Sequence, residues 1–289
     1  MTQYNFTIFV RFLFYFCQVQ TKSTLSKFKF DTNQFVPGHS VDCVILAFDR
    51  DGLKVLVMKW KGPEMFCLPG GFVLIEEDLD KAAIRVLKER AGIELPFLEQ
   101  FSTFGRVDRR DDDTLAHNLK VINLPDSTIQ WFEQRFITTG FLSLVDMNKC
   151  DPKPDLMSES IGWYGIDELP NLIFDHRSIV ETAVKYVRNQ INYLPIGITL
   201  LPEKFTMKEL QHLYESILEK KLDRGNFQRK MLKLGIFNRH EKQLEGGAHK
   251  APYLYSFDKE KYQDLLEKGI GFVSRLGILK SLLIAELCF

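Results

Sequence analysis

The chain has 289 residues, 38 Lys/Arg against 38 Asp/Glu, and 45% hydrophobic side chains. Balanced charge excludes a protein that holds nucleic acid by overall basicity, so any such surface must be local. The apolar content excludes a disordered chain, and the length points to two domains. Five cysteines (Cys17, Cys43, Cys67, Cys150, Cys288) form no C-x-x-C pair. This odd, scattered set argues for reduced thiols and a cytoplasmic location.

Residues 1–30 read as a poorly ordered N-terminal extension. Phe6 to Phe16 is apolar but broken by Arg11, and is too short to cross a bilayer. It lacks the basic start and small-residue cleavage site of a signal peptide. The first domain is expected over residues 31–193. Val41 to Phe48 and Val55 to Trp60 read as strands around the Asp51-Gly52 turn signal. Leu68-Pro-Gly-Gly71 punctuates the chain. Asp78 is placed to cap a helix whose apolar positions are Leu79, Ala82, Ala83, Val86 and Leu87, with Gly92 as its stop. Phe101 to Val107, Phe136 to Val145 and Ser160 to Tyr164 read as further strands. Arg109 to Gln134 is polar, irregular and long, as a surface insertion or lid would be. A helix from Arg177 to Ile191 follows, with Asp175 as its expected cap. Strands around an internal helix, closed by another helix, predict an α/β/α sandwich with a mixed sheet. His176 reads first as a structural residue at a helix start, with ligand contact as the alternative. No G-x-S-x-G, P-loop or Rossmann fingerprint is present.

The second domain is expected over residues 195–268, with 269–289 as a C-terminal tail. Thr206-Met-Lys-Glu209 has the form of a capping box. Leu210, Leu213, Tyr214, Ile217 and Leu218 follow at helical spacing. Asp223 caps a second helix, Arg224 to Leu234, with Phe227, Met231 and Leu234 inward and Asn226, Arg229 and Lys233 outward. Ile236 to Asn238 and Tyr253 to Phe257 are expected to pair around a basic wing, Arg239 to Pro252. From Lys220 to Lys250 there are nine Lys/Arg and three Asp/Glu. Helix, turn, helix, wing and a local cationic surplus predict a winged-helix DNA-binding domain. Asn226, Arg229, Lys230 and Lys233 are candidates for reading base edges, and Arg239, Lys242, His249 and Lys250 for holding phosphates. A solvated cationic face, or a protein-binding accessory domain, is the competing reading.

One stretch of the first domain carries a fixed pattern. Gly71, Glu77, Arg85, Leu87, Glu89, Gly92 and Ile93 fall at the spacings of G-x5-E-x7-R-E-U-x-E-E-x-G-U, with U a bulky apolar residue. This frame resembles the Nudix box. Two positions depart from it, because Val86 and Arg90 stand where the box has glutamates. In the family those positions, with that of Glu89, supply the magnesium ligands. Here the helical face reads Val86, Glu89, Arg90: one carboxylate, with a cation beside it. A hard divalent ion needs oxygen ligands, so the frame predicts the fold while its losses argue against the usual hydrolysis. The alternative is a hydrolase that recruits carboxylates from Asp108, Asp111, Asp112 or Asp113 and cleaves nucleoside diphosphate-linked substrates with magnesium.

With Ser40 to Cys43, Pro69 to Val73, Ile173 to His176, Leu200 to Pro202 and Asn226-Phe227, the chain resembles the Nudix-related transcriptional regulators, most of all the sugar-responsive, arabinose-regulator type. The resemblance implies a cytoplasmic homodimer, a double-stranded DNA operator, and a sugar or ADP-ribose-like effector. It implies no catalytic residue and no cofactor, magnesium entering only under the hydrolase reading. A cleft between sheet and box helix is expected to bind the effector, with Arg106, Asp108, Glu89, Arg90 and Trp163 as candidate lining residues.

Overall fold

The computed structural model describes residues 31–61, 64–94, 98–109, 126–155, 157–191, 198–242 and 251–268. The expected extension and tail, the 193/195 boundary, Asp111 to Asp113, His249 and Lys250 lie outside the described residues.

Strand β1 (Phe35–Asp49) is the spine of the first half. It turns through Arg50-Asp51 into β2 (Gly52–Trp60), with Asp49 opposite Gly52. Short β3 (Phe66–Cys67) and β4 (Gly70–Leu74) follow, then helix α1 (Leu79–Ala91). Strand β5 (Glu99–Phe104), helix α2 (Asp126–Phe132), strands β6 (Ile137–Leu144) and β7 (Ser158–Gly165), and helix α3 (His176–Gln190) complete this half. The seven strands form one sheet of order β3-β2-β1-β6-β5, with β4 also paired to β1 and β7 to β2. The β1–β6 pair is parallel and the other pairs are antiparallel, so the sheet is mixed as expected.

The sheet is covered on both faces, which explains why β1 is apolar without alternation. Val41, Cys43, Ile45 and Ala47 point to the α1 side, where they meet Ala82, Val86 and Leu87. Val44 and Leu46 point to the other side, against Ile179, Val180 and Ala183 of α3. This is the two-residue period of a strand read against two separate cores.

The second half opens with β8 (Phe205–Thr206) and helix α4 (Met207–Leu218). The capping box is formed: Thr206 accepts from the Glu209 N–H at 3.2 Å, and Glu209 accepts from the Thr206 N–H at 2.6 Å. Helix α5 (Arg224–Lys233) is capped by Asp223, which accepts from the Asn226 N–H at 2.8 Å. Strands β9 (Phe237–Lys242) and β10 (Tyr253–Phe257) pair antiparallel, β8 joins β10, and helix α6 (Lys259–Lys268) follows. The order is that of a winged helix.

The two halves share one core. Leu210, Leu213, Tyr214 and Ile217 of α4 belong to the same buried cluster as Val44, Val55, Val57 and the apolar face of α3. His212 Nε2–H donates to the Arg50 carbonyl at 2.9 Å, and its ring packs edge-on to Phe48. Helix α4 therefore serves as part of the sheet's covering layer as well as the first helix of the winged helix.

Several sequence expectations need correction. The span expected to be irregular contains helix α2, with Thr128, Ile129 and Trp131 buried. Gly70 and Gly71, read from the sequence as punctuation, begin strand β4, which pairs with β1. Asp78 and Asp175 stand at helix N-caps but make no side-chain cap bond. Asp78 instead pairs with Lys81, and Asp175 with Arg109.

Candidate functional site

Gly71, Glu77, Arg85, Glu89 and Gly92 of the Nudix frame each have a structural task here. Gly71 lies opposite Val41, where a Cβ would come within 2.8 Å of Val86 Cγ2. Arg85 donates to both Glu77 oxygens at 2.7 Å, to Glu89 at 3.0 Å and to the Phe72 carbonyl at 2.9 Å. That bidentate latch ties the loop before α1 to the helix. Gly92 takes φ 68° and closes α1, its N–H donating to the Lys88 carbonyl. A left-handed C-cap of this kind favours glycine.

The departures lie on the same helix. Val86 is 2% exposed and joins the core on the α1 side. Arg90 forms an ion pair with Asp155, and its guanidinium lies 5.8 Å from the Trp60 ring centroid. Glu89 is the one carboxylate left on the face, and Arg85 holds it. Burial pushes the Glu89 carboxyl up to about 7, against the pull of Arg85. Among the described residues no group of three His, Cys, Asp or Glu side chains is placed to hold a metal ion. The donor set does not fit the magnesium that the frame implies elsewhere.

Beside α1 lies a cavity of about 340 Å³, within the size range of small-molecule sites. Its wall has three parts. Arg85, Glu89 and Arg90 form one polar end. Aromatic rings form the middle, with Phe72 at its centre, 5.7 Å from Phe35, 5.5 Å from Phe132 and 5.0 Å from Phe136 between ring centroids. The other end is a buried charge cluster. Arg109 donates to Asp175 at 2.7 Å, to Asp42 at 3.1 Å and to the Phe136 carbonyl at 3.1 Å, with its side chain only 5% exposed. His176 Nδ1 accepts from the Leu68 N–H at 3.0 Å. The proton of a neutral ring must then sit on Nε2, 3.5 Å from Asp42. Burial lowers the His176 pKa, which favours that neutral form. Gly70 is needed here, because a Cβ on it would collide with the Asp42 carboxylate.

Of the expected lining residues, Glu89 and Arg90 face this cavity. Arg106 and Asp108 do not: their side chains, 78% and 67% exposed, pair with each other at 2.7 Å. Trp163 sits on β7 opposite Leu56 and packs against the core on the α1 side, outside the lining. Asp42 and Arg109, which do line the cavity, were not among the expected residues. An acid within a strand as apolar as β1 is a legible signal for Asp42; Arg109 sits in a polar run that carries none.

The cavity is linked to the second half through α3. Its first residue, His176, lines the cavity, and in its last turn Arg188 grips α4. Arg188 donates to the Ile217 carbonyl at 2.8 Å and forms an ion pair with Glu219. A cation against the C-terminal carbonyls of a helix is favourably placed.

On the far side of α4, Asn226, Arg229, Lys230 and Lys233 are all exposed along one stripe of α5, away from buried Phe227 and Met231. Arg229 donates to the Asn226 side-chain oxygen at 2.7 Å. Arg239 and Lys242 flank the Tyr253 ring on the wing strands, 4.7 and 5.3 Å from its centroid. The recognition-helix stripe and the wing cations therefore exist as exposed surfaces.

The NUDIX domain model matches residues 37–183, half of the chain. The chain belongs to the Nudix family. A second model, the NrtR DNA-binding winged helix domain, matches residues 197–257. A protein of Acinetobacter baylyi named ADPR responsive transcriptional repressor NtrR is 28% identical over 233 residues, covering 78% of this chain and 84% of its own length. An ADP-ribose pyrophosphatase of Methanocaldococcus jannaschii is 26% identical over 153 residues, 52% of this chain and 75% of that protein. The crystal structure of Shewanella oneidensis NrtR complexed with a 27mer DNA superposes with TM-score 0.58 at 23% identity, over 77% of this chain and 94% of that one. That likeness establishes the shared architecture, a Nudix fold followed by a winged helix.

Proposed function

We propose that this protein is a transcriptional repressor that binds double-stranded operator DNA through α5 and the wing, and releases it when an ADP-ribose-like effector fills the cavity. The observation that carries the reading is the pairing of an exposed cationic recognition stripe with a cavity whose metal-ligand face has been replaced. The stripe is the electrostatic footprint of a DNA-binding helix. The cavity offers aromatic faces for a base and cations for phosphates. Of the two effectors that the family resemblance allows, a sugar or ADP-ribose, the name of the Acinetobacter relative and this mixed aromatic and cationic lining both favour ADP-ribose.

Repression is linkage: effector and operator each favour one arrangement of the same coupled halves. The shared core and the Arg188 contact are the physical route by which cavity and recognition helix influence one another. A homodimer in the cytoplasm completes the proposal, since a two-fold protein matches a pseudo-palindromic operator. Among the described residues no helix is long and apolar enough to cross a membrane. The hydrolase reading, which the Methanocaldococcus relative raises, has on the metal-ligand face of α1 a single carboxylate, Glu89, already bound by Arg85.

A gel shift on the DNA upstream of the protein's own gene tests the proposal. Sequence-selective, salt-sensitive retardation, reversed by ADP-ribose, is expected. No selective retardation, or magnesium-dependent AMP release from ADP-ribose that Glu89→Gln abolishes, would overturn it.

A further inference from the structure

We propose that Arg90 is a built-in cation for the effector, meeting its diphosphate directly where a divalent ion would otherwise stand between protein and phosphate. The inference rests on the proposed reading of a diphosphate-bearing effector and adds how that ligand is held.

Arg90 lines the cavity from the last turn of α1. Two contacts fix its guanidinium. Asp155 pairs with Nη1, and the Trp60 ring lies beneath, 5.8 Å from the central carbon. Asp155 is itself held, accepting from the Met157 N–H at 3.1 Å. The Nε atom is buried and has no hydrogen-bond partner. A buried charged donor without an acceptor is costly, and native proteins rarely keep one without a use. Nε is sealed from the cavity as the side chain stands, so a ligand in the cavity meets Arg90 through the guanidinium nitrogen that Asp155 does not hold. A phosphate oxygen fits best, because the planar guanidinium presents its N–H groups along an edge that matches phosphate geometry.

The neighbours on the helix agree. Val86 offers no ligand and is packed against Gly71. Glu89 is occupied by Arg85. A divalent ion at this wall would meet one engaged carboxylate and the Arg90 cation. A diphosphate carried in by magnesium would have to shed the metal before Arg90 could reach it. Binding should therefore be indifferent to magnesium or weakened by it.

The test is calorimetric titration of the full-length protein with ADP-ribose, in EDTA and in excess magnesium, for wild type and Arg90→Lys. Lysine keeps the charge facing Asp155 but removes the planar guanidinium and its second Nη donor, and the melting temperature of each unliganded protein checks its fold. The expected result is wild-type affinity no tighter in magnesium than in EDTA, and a loss of tenfold or more in Arg90→Lys with an unchanged melting temperature. Tighter binding in magnesium, or full affinity in a folded Arg90→Lys, would overturn the proposal. If Arg90→Lys does not fold, the two wild-type titrations decide by the same criterion. Inorganic pyrophosphate in EDTA separates this inference from the effector assignment. Arg90-dependent pyrophosphate binding without ADP-ribose binding would sink the assignment and keep the diphosphate site, whereas failure of both ligands would sink both.

Discussion

Helices α1 and α5 are both cationic in their last turns, yet they use charge in opposite ways. On α1, Arg85 is bonded to Glu77 and Glu89, and Arg90 to Asp155, all against the cavity wall. On α5, Arg229, Lys230 and Lys233 are exposed, and among the described residues none forms an ion pair with a carboxylate. A charge taken out of water must be paired where it stands, whereas an exposed one can remain available for a phosphate that arrives later. The difference separates a helix that shapes a pocket from one that meets a polyanion. The charge cluster at the far end of the cavity belongs with the first kind.

The contrast breaks first where a buried partner is removed. Arg109→Met leaves Asp42 and Asp175 without their shared cation and should cost about 3–5 kcal/mol of stability. Urea unfolding measures this, and a loss below 1 kcal/mol would mean that the cluster is not paired as described. The exposed helix should answer in binding instead. Arg229→Ala is expected to weaken specific DNA binding by roughly 1–3 kcal/mol while leaving the urea midpoint in place. Lys242→Ala should lower affinity for all sequences alike and reduce the salt slope by about 1. Equal losses on specific and random DNA for both variants would erase the distinction between base-reading and phosphate-holding positions.

The link between the regions should show a smaller effect. Arg188→Gln removes the grip of α3 on the end of α4, and is expected to reduce the coupling between ADP-ribose and DNA by about 0.5–2 kcal/mol. Gel shifts with and without ADP-ribose read it as a shallower release, and undiminished release would show that the shared apolar core suffices. The smallest expected effect is on pH. The Glu89 carboxyl is raised to about 7 by burial, so it is neutral below that pH and anionic above it. Affinity for an anionic effector should fall as pH rises through 7, and Glu89→Gln should flatten the profile. Stability follows the same sign, because the folded state holds this proton more tightly than the unfolded chain. Its contribution is present at acid pH and is lost as pH rises from the ordinary carboxylate range through 7. A stability profile that improves over that interval specifically through Glu89 would contradict the assignment.

What the sequence determined by itself was local and periodic. Fixed spacings tied Gly71, Glu77, Arg85 and Gly92 into one motif ending in a helix, and neighbours three and four residues apart on a helix share a face whatever surrounds them. The capping box at Thr206, the Asp223 cap and the outward stripe of α5 are legible for the same reason. Of the wing strands, Tyr253 to Phe257 is legible from its apolar run, whereas the other runs on through Arg239 to Lys242, which the sequence assigns to the wing, because cross-strand pairing with β10 rather than apolarity sets it. Tertiary structure alone decided the cavity's far end. Arg109 reaches Asp42 across 67 residues and His176 reaches Leu68 across 108, separations over which no periodicity informs. It also decided that Arg106 and Asp108 pair outside the cleft, that α2 forms within a stretch too short and too polar at its edges to show a helical period, and that α4 closes the core of the first half. A side chain's neighbours along the chain are set by covalent geometry, but its neighbours across a cavity exist only once the sheet has brought distant segments together.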